Sequence, residues 1–293
     1  MKRTPKRKGL DRQASAARKP EHVDRPRPQA RTRERLDQVL VAKSLAESRE
    51  KAARLILAGA VAVDGQRVDK AGALVDPAAS VQVAAGPKFV SRGGEKLAPV
   101  LDAFAVVPAG RICLDVGAST GGFTHCLLER GASRIYAVDV GHGQLDPRLR
   151  ADGRVVVMEK TNARQLSPTT FAEAPDLATV DVSFISLEKV LPAIYNVLAP
   201  AGEVVALVKP QFEVGKGLVG KGGVVRDATD HRAVLSRVAR YAVLHGWHVR
   251  GVAVSPLKGP KGNREFFLYF TKTGRTLSDL DERIARMAAP DVA

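Results

Sequence analysis

Only two cysteines occur in the 293 residues, Cys113 and Cys126. One falls in an apolar stretch that reads as a core strand and the other on a helix. Both therefore read as structural thiols of a reducing cytosol, and a cytoplasmic location is expected. His142, His231, His245 and His248 lack ligand spacing, so no metal site is expected. Long hydrophobic runs are also missing. None approaches the ~20 residues needed to cross a bilayer, so membrane insertion is not expected. The opening MKRTPKRKGLDRQ is basic but has no apolar core segment, and it does not read as a secretion signal.

Acids are the scarcer charge, 31 against 46 Lys and Arg, for a net charge of +15. Residues 1–35 hold thirteen Lys or Arg, four acids and four prolines, hence +9 of that total. With almost no large apolar residue, this segment cannot offset its ordering entropy by burial, and a disordered basic arm is expected over 1–33. The excess fits a polyanionic partner, nucleic acid before any other.

Residues 34–85 read as a small α+β domain. RLDQVLVAKSLA places Leu36, Val39 and Leu40 at helical spacing. Ser48 is then a good N-cap for REKAARLILAG, which Gly59 ends. Val61 and Val63 alternate before Asp64-Gly65, a two-residue hairpin signal. This order of elements resembles the S-four RNA-binding domain. The resemblance assigns RNA contact to Arg35, Lys43, Arg49, Lys51 and Arg54 on the outer side of the helix pair.

Beyond residue 86 strand and helix patterns alternate. Strands are expected at 111–116, 134–139, 154–158, 176–182, 203–208, 247–254 and 265–271. Helices are expected at 95–105, 121–130, 187–199 and 229–245. Such alternation implies an α/β, doubly wound, mostly parallel sheet. The last two strands have no helix between them and should run antiparallel, the usual ending of a class I methyltransferase sheet. Domain boundaries are expected at 86–273, with 274–293 as a C-terminal helix or tail.

CLDVGASTGGFT, residues 113–124, joins the first of these strands to a helix through small residues. It spells G-x-x-x-G-G, not the G-x-G-x-x-G of dinucleotide sites. The next strand ends in Asp139, placed to accept from both ribose hydroxyls of an adenosine. The third ends near Asn162, within reach of an adenine. Together these point to S-adenosylmethionine, with contacts assigned to Asp115, Gly117, Ser119, Gly121, Gly122, Phe123, Asp139 and Asn162. EVGKGLVGKGGVVRD, residues 213–227, lacks the G-x-x-x-x-G-K-[ST] of a P-loop and reads equally as a mobile flap or a flexible connector. Trp247 reads as core.

Residues just past the fourth strand narrow the acceptor. VDVSFISL is not the Asn/Asp-Pro-Pro-aromatic signature of exocyclic amino methylation, and neither cysteine sits where carbon-5 methylation needs one. Lys96, Asp181, Lys209 and Glu265 instead fall where sheet ends meet. KFVSRGGEKL, LDVGASTGGFT, DVSFISL, LVKPQFE and KGNREFF resemble the TlyA family over residues 34–271. Its members join an S-four domain to an FtsJ-like 2′-O-ribose methyltransferase and have carried a haemolysin label. The resemblance implies methylation of cytidine 2′-hydroxyls in ribosomal RNA, on ribosomal subunits, by a Lys-Asp-Lys-Glu tetrad matched here by Lys96, Asp181, Lys209 and Glu265. It implies Lys209 as base or orienting group, Asp181 as its holder, and Lys96 as stabiliser of charge on the oxygen. The plain reading of Lys96 and Glu265 is a surface ion pair. A monomer is expected.

Three rivals are weighed. A membrane-lytic protein would need a secretion signal and an amphipathic or spanning segment, and neither is apparent. A non-catalytic RNA-binding protein with a degenerate fold would be expected to lose Asp115, Asp139 or a tetrad member, and all stand in the sequence. A pseudouridine synthase would have no use for the glycine corner.

Overall fold

The computed structural model describes residues 33–57, 59–84, 88–215, 219–220, 222–259 and 261–290. The basic arm expected over 1–33 lies outside these residues, except for its last position. The chain divides into two compact units, 1–85 and 86–293.

The first unit contains β1 (Glu34–Arg35), α1 (Leu36–Ala42), α2 (Arg49–Leu57), β2 (Val61–Val63), β3 (Gln66–Arg67), β4 (Leu74–Val75) and β5 (Val81–Val83). Strand β1 pairs antiparallel with β4, and β2 lies between β3 and β5. The helix spacing seen in the sequence buries Leu36, Leu40, Ala52 and Ile56 against Val61. Ser48 Oγ accepts from the Lys51 N–H, capping α2. Asp64 and Gly65 form the β2–β3 turn.

The second unit runs α3 (Arg92–Ala103), β6 (Ile112–Val116), α4 (Gly122–Glu129), β7 (Arg134–Val138), α5 (Pro147–Arg150), β8 (Val155–Met158), β9 (Leu177–Val180), α6 (Leu191–Val197), β10 (Glu203–Val208), α7 (Pro210–Glu213), α8 (Ala228–Leu244), β11 (His248–Val254), β12 (Phe266–Thr271) and α9 (Leu280–Ala288). Its seven strands lie in the order β11-β12-β10-β9-β6-β7-β8. Only β12 is reversed, pairing antiparallel with both β10 and β11. The chain leaves β6 toward β7 and β8, then returns to place β9 on the other side of β6. Opposite crossovers from neighbouring strands open a crevice at their carboxyl ends, where ligands of doubly wound sheets bind.

Two apolar layers cover the sheet. α3 and α4 pack on one face, with Leu97, Leu101 and Leu127 fully buried. α6, α8 and α9 cover the other, with Ile194, Leu235 and Ile284 fully buried. Within 274–290 the chain forms the helix α9, whose Ile284 and Ala288 join the same core as Trp247. The helix expected over 187–199 is broken into a 3-10 turn at Leu187–Lys189 and α6. Pro192 stands in the first turn of α6, where its missing N–H cannot continue a ladder from the 3-10 turn before it. In the glycine–lysine loop, residues 216–218 and 221 lie outside the described residues. Cys113 and Cys126 are free and buried, and burial pushes their thiols up to about 12 and about 11.

Candidate active site

Two cavities open at the carboxyl ends of the parallel strands. The larger, about 480 Å³, lies over β6, β7 and β8 and is lined by Asp139, Gln144, Asn162, Ser183 and Phe184 among others. The smaller, about 310 Å³, is lined by Ser91, Arg92, Lys96, Phe123 and Lys258. Gly117, Ser119 and Asp181 line both, so the cavities meet at the tips of β6 and β9.

The backbone at this seam is shaped by what a side chain would strike. Gly117 has φ +87°, and a Cβ there would overlap the carbonyl oxygen of Asp181. Ser119 also takes a positive φ, 49°, which turns its N–H onto Asp139 Oδ2 at 2.8 Å. Gly141 N–H donates to Asp139 Oδ1 at 2.7 Å. The Asp139 carboxylate is thereby fixed by two backbone donors, and two of its roughly four acceptor positions remain for hydroxyls in the cavity. Asn162 lines the same cavity, but its Oδ1 already accepts from Arg164 N–H, leaving its amide N–H groups to recognise a ligand.

Two sequence-assigned contacts lie elsewhere. Asp115 is fully buried and lines neither cavity. Its oxygens accept from Thr124 Oγ1 at 2.7 Å and Thr179 Oγ1 at 3.1 Å, joining β6 to α4 and β9. Burial pushes its carboxyl up to about 7, against those hydrogen bonds. Asp115 therefore holds the corner together from behind the cavity walls. Gly121, the left-handed N-cap of α4, also lies outside the cavities, and a Cβ there would run into Leu149 and Leu145. Its missing side chain admits α5, not a ligand. Gly122 does line the smaller cavity, and a Cβ on it would collide with Ser91 at the start of α3.

The four tetrad residues form two ion pairs. Lys209 Nζ lies 2.6 Å from Asp181 Oδ1 and donates to Ser183 Oγ at 2.8 Å. Lys96 Nζ donates to Glu265 Oε2 at 2.6 Å. The side chains of Lys96 and Glu265 are only 11% and 1% exposed, which rejects the surface-pair reading. A pair so deeply buried is costly to desolvate and is weak evidence of a stabilising role. Ser183 was invisible as a partner from sequence, although it stands two residues after Asp181. Glu213 was missed as well. It reaches from α7 to Ser186 Oγ at 2.7 Å and Leu187 N–H at 2.8 Å, bracing the loop that carries Ser183. Burial raises the Glu213 carboxyl above its ordinary range. Phe184, 89% exposed with φ +63°, lies against Phe212 at the mouth.

In the first unit all five RNA-assigned cations are exposed. Arg35 holds Asp37 at both oxygens, and Arg49 reaches the same carboxylate at 3.3 Å. The Arg35 guanidinium brings the Asp37 carboxyl down to about 2. Lys51 pairs with Glu47 and Arg54 with Glu50. Lys43 has no ion pair among the described residues. The helix face is thus mixed in charge, but such exposed pairs are weak enough to exchange for phosphate.

Known proteins carry the same plan. The FtsJ-like methyltransferase profile matches residues 89–272 and the S4 domain profile residues 34–81. The chain belongs to the FtsJ-like methyltransferase family. Within that family it is 51% identical over 249 residues to the 16S/23S rRNA (cytidine-2′-O)-methyltransferase TlyA of Mycobacterium tuberculosis, covering 84% of this chain and 93% of that protein. Hemolysin A of Brachyspira hyodysenteriae is 41% identical, over 80% of this chain and 99% of that one. A structure from Streptococcus thermophilus that carries a hemolysin name superposes with TM-score 0.67 at 41% identity, covering 88% and 96% of the two chains. No described helix of this family member is long and apolar enough to cross a membrane.

Proposed function

We propose that this chain transfers the methyl group of S-adenosylmethionine to a ribose 2′-hydroxyl of ribosomal RNA, at cytidine. The observation that carries the reading is Asp181, which lines both cavities and pairs at 2.6 Å with Lys209 behind it. The larger cavity suits the cofactor, because Asp139 offers a fixed carboxylate to a ribose diol and Asn162 an amide to a base. The cofactor supplies an electrophilic methyl on a sulfonium. The smaller cavity, with Lys96, Arg92 and Lys258 on its wall, suits the acceptor nucleotide. The relatives named for cytidine-2′-O methylation of 16S and 23S rRNA support the substrate, and the S4 domain supports an RNA partner.

An ammonium carries three N–H groups. Lys209 gives one to Ser183 and faces Asp181 Oδ1 at 2.6 Å as an ion pair outside hydrogen-bond geometry, so N–H capacity remains to hold the 2′-oxygen in line with the methyl. Lys96, anchored by Glu265, faces the same cavity and stabilises negative charge growing on that oxygen. The oxygen–carbon bond forms as the carbon–sulfur bond of the sulfonium breaks to leave a neutral thioether. The hydroxyl proton goes to Asp181 while Lys209 is an ammonium, or to Lys209 only in its amine form, which keeps a lone pair. Lys209→Ala is expected to keep cofactor affinity and to lower single-turnover methyl transfer by ~10²-fold or more, the usual effect of losing a positioned acid–base group. Lys209→Arg is expected to rescue little, since guanidinium keeps its proton. The check is transfer of labelled methyl to ribosomal RNA, with nuclease digestion locating it on the 2′-oxygen. Near-normal transfer by Lys209→Ala removes the residue from the mechanism.

A further inference from the structure

A third cavity, about 380 Å³, lies on the other side of Lys258 from the smaller cavity of the site, and Lys258 lines both. Its walls come from Val224–Arg226 and the start of α8, the loop between β11 and β12, and the end of α9. Arg226, Lys258, Lys261 and Arg264 line it, with no acidic residue. Many cations of this unit are paired with acids, as in Arg111–Glu203, Arg130–Asp102 and Arg154–Asp152. Arg226, Lys258 and Lys261 form no such pair among the described residues. Like charges gathered without acids raise the potential at the cavity and attract an anion.

The cradle is held in shape without these three cations. Asn263, 3% exposed, donates to the Gly223 carbonyl at 2.9 Å and accepts from Val225 N–H at 3.0 Å, tying two walls together. Gly259 N–H donates to the Asn263 carbonyl at 2.8 Å, closing the loop on itself. Arg264 donates to the carbonyls of Ala288 and Ala289, fixing the end of α9. His231 lies beneath, its Nε2 3.1 Å from the Val225 carbonyl oxygen. A carbonyl can only accept, so the ring proton sits on Nε2. Burial lowers the His231 pKa and keeps the ring neutral. The charges facing the cavity are therefore the exposed cations, with no structural partner to give up.

We propose that this cavity holds a phosphodiester of the RNA strand adjoining the nucleotide under methylation. The inference rests on the RNA reading above and deepens it. A ribose bound with its 2′-hydroxyl at the seam carries phosphates on its own 3′ and 5′ oxygens. The next anionic group of the substrate must then emerge beside the acceptor cavity, and Lys258 is the wall the two cavities share.

The test uses the full-length double variant Arg226→Ser/Lys261→Ser, since neither residue lines the catalytic cavities. Cofactor affinity is expected to be unchanged, which also confirms folding. The KM for deproteinised ribosomal RNA is expected to rise about tenfold, with kcat within about twofold. The log–log salt dependence of RNA binding should become shallower by about 1, because each neutralised phosphate contributes about 0.7–0.9. Inorganic phosphate should compete with RNA more strongly on the wild-type protein than on the variant if the cradle accepts any phosphate. Absence of that competition with a changed salt slope restricts the cradle to the diester strand. Unchanged KM and salt slope would overturn the proposal. So would a lost affinity for intact ribosomal subunits with none lost for deproteinised RNA, which would indicate an acidic protein face instead. If the wild-type protein methylates no RNA, the function reading fails, and the salt slope still decides the cradle by itself.

Discussion

Asp115 belongs to the motif of the glycine corner yet lines neither of the cavities beside it. The sequence places it beside Gly117, and only folding reveals that Thr124 and Thr179 surround it. Its carboxyl stands at about 7, pushed up by burial, against an unfolded value near 4. A raised acid favours the folded state most when protonated, so its contribution is full below about pH 4 and is lost as pH rises through about 7. His231, lowered by burial, acts with the opposite sign and gains stability as pH rises through its unfolded value of 6.5. Asp37, Asp152 and Glu159, all held at about 2, lose their contribution only below pH 4. Asp115→Asn should therefore remove a loss of stability between pH 4 and pH 7 that amounts to a few kcal/mol at most. Denaturant titrations of both proteins from pH 5 to pH 8 isolate it, because His231 is common to both. Parallel stability curves would mean that Asp115 does not titrate in this window. The place of Asp139 in the larger cavity was legible because an acid at the end of the strand after the glycine corner must stand at the carboxyl edge of the sheet. Asp115 and Ser183 were not, because their roles depend on side chains far away in the chain.

Strand ends and helix starts decide which glycines matter to the site. Seven strands were legible from apolar runs and the turns between them, and the reversal of β12 from the missing helix before it. The short α7, whose Glu213 braces the Ser183 loop, was not, since four residues give no periodicity to read. The roles of Gly117 and Gly121 could not be separated either, because both read as one small-residue turn. Gly117 faces backbone across the β6–β9 seam, whereas Gly121 faces the flexible ends of Leu145 and Leu149. Gly117→Ala must displace the Asp181 carbonyl and should cost about 1–3 kcal/mol of stability, the range for a strained backbone. It should also lower cofactor affinity at least tenfold, since Asp181 lines both cavities. Gly121→Ala should cost comparable stability but leave affinity within about threefold. Calorimetric titration with S-adenosylmethionine beside thermal melts separates the two. Equal loss of affinity in both variants would return Gly121 to the binding surface.

The two units divide the chain's charge as well as its core. Residues 1–35 carry +9 of the net +15, and the core of the first unit, built on Leu36, Leu40, Ala52, Ile56 and Val61, is closed within itself. The second unit buries its own two layers and contains both the Lys209–Asp181 and Lys96–Glu265 ion pairs and the two cavities that meet at Asp181. A chain starting near residue 86 should thus fold and bind S-adenosylmethionine with affinity close to that of the whole protein. It should methylate ribosomal RNA poorly at limiting RNA, because the S4 domain and the basic arm no longer raise the local concentration of substrate. The deficit should shrink at saturating RNA, which marks it as lost binding, since lost transition-state stabilisation would persist there. The salt dependence of RNA binding should also flatten as the counterion-releasing cations of the arm and the S4 domain are removed. The measurement is methyl transfer across a range of RNA concentrations at two ionic strengths, with calorimetry as the control for folding. Full turnover by the truncated chain at limiting RNA would place recognition within the methyltransferase domain itself. A loss of kcat at saturating RNA would instead mean that the S4 domain helps to assemble the catalytic site.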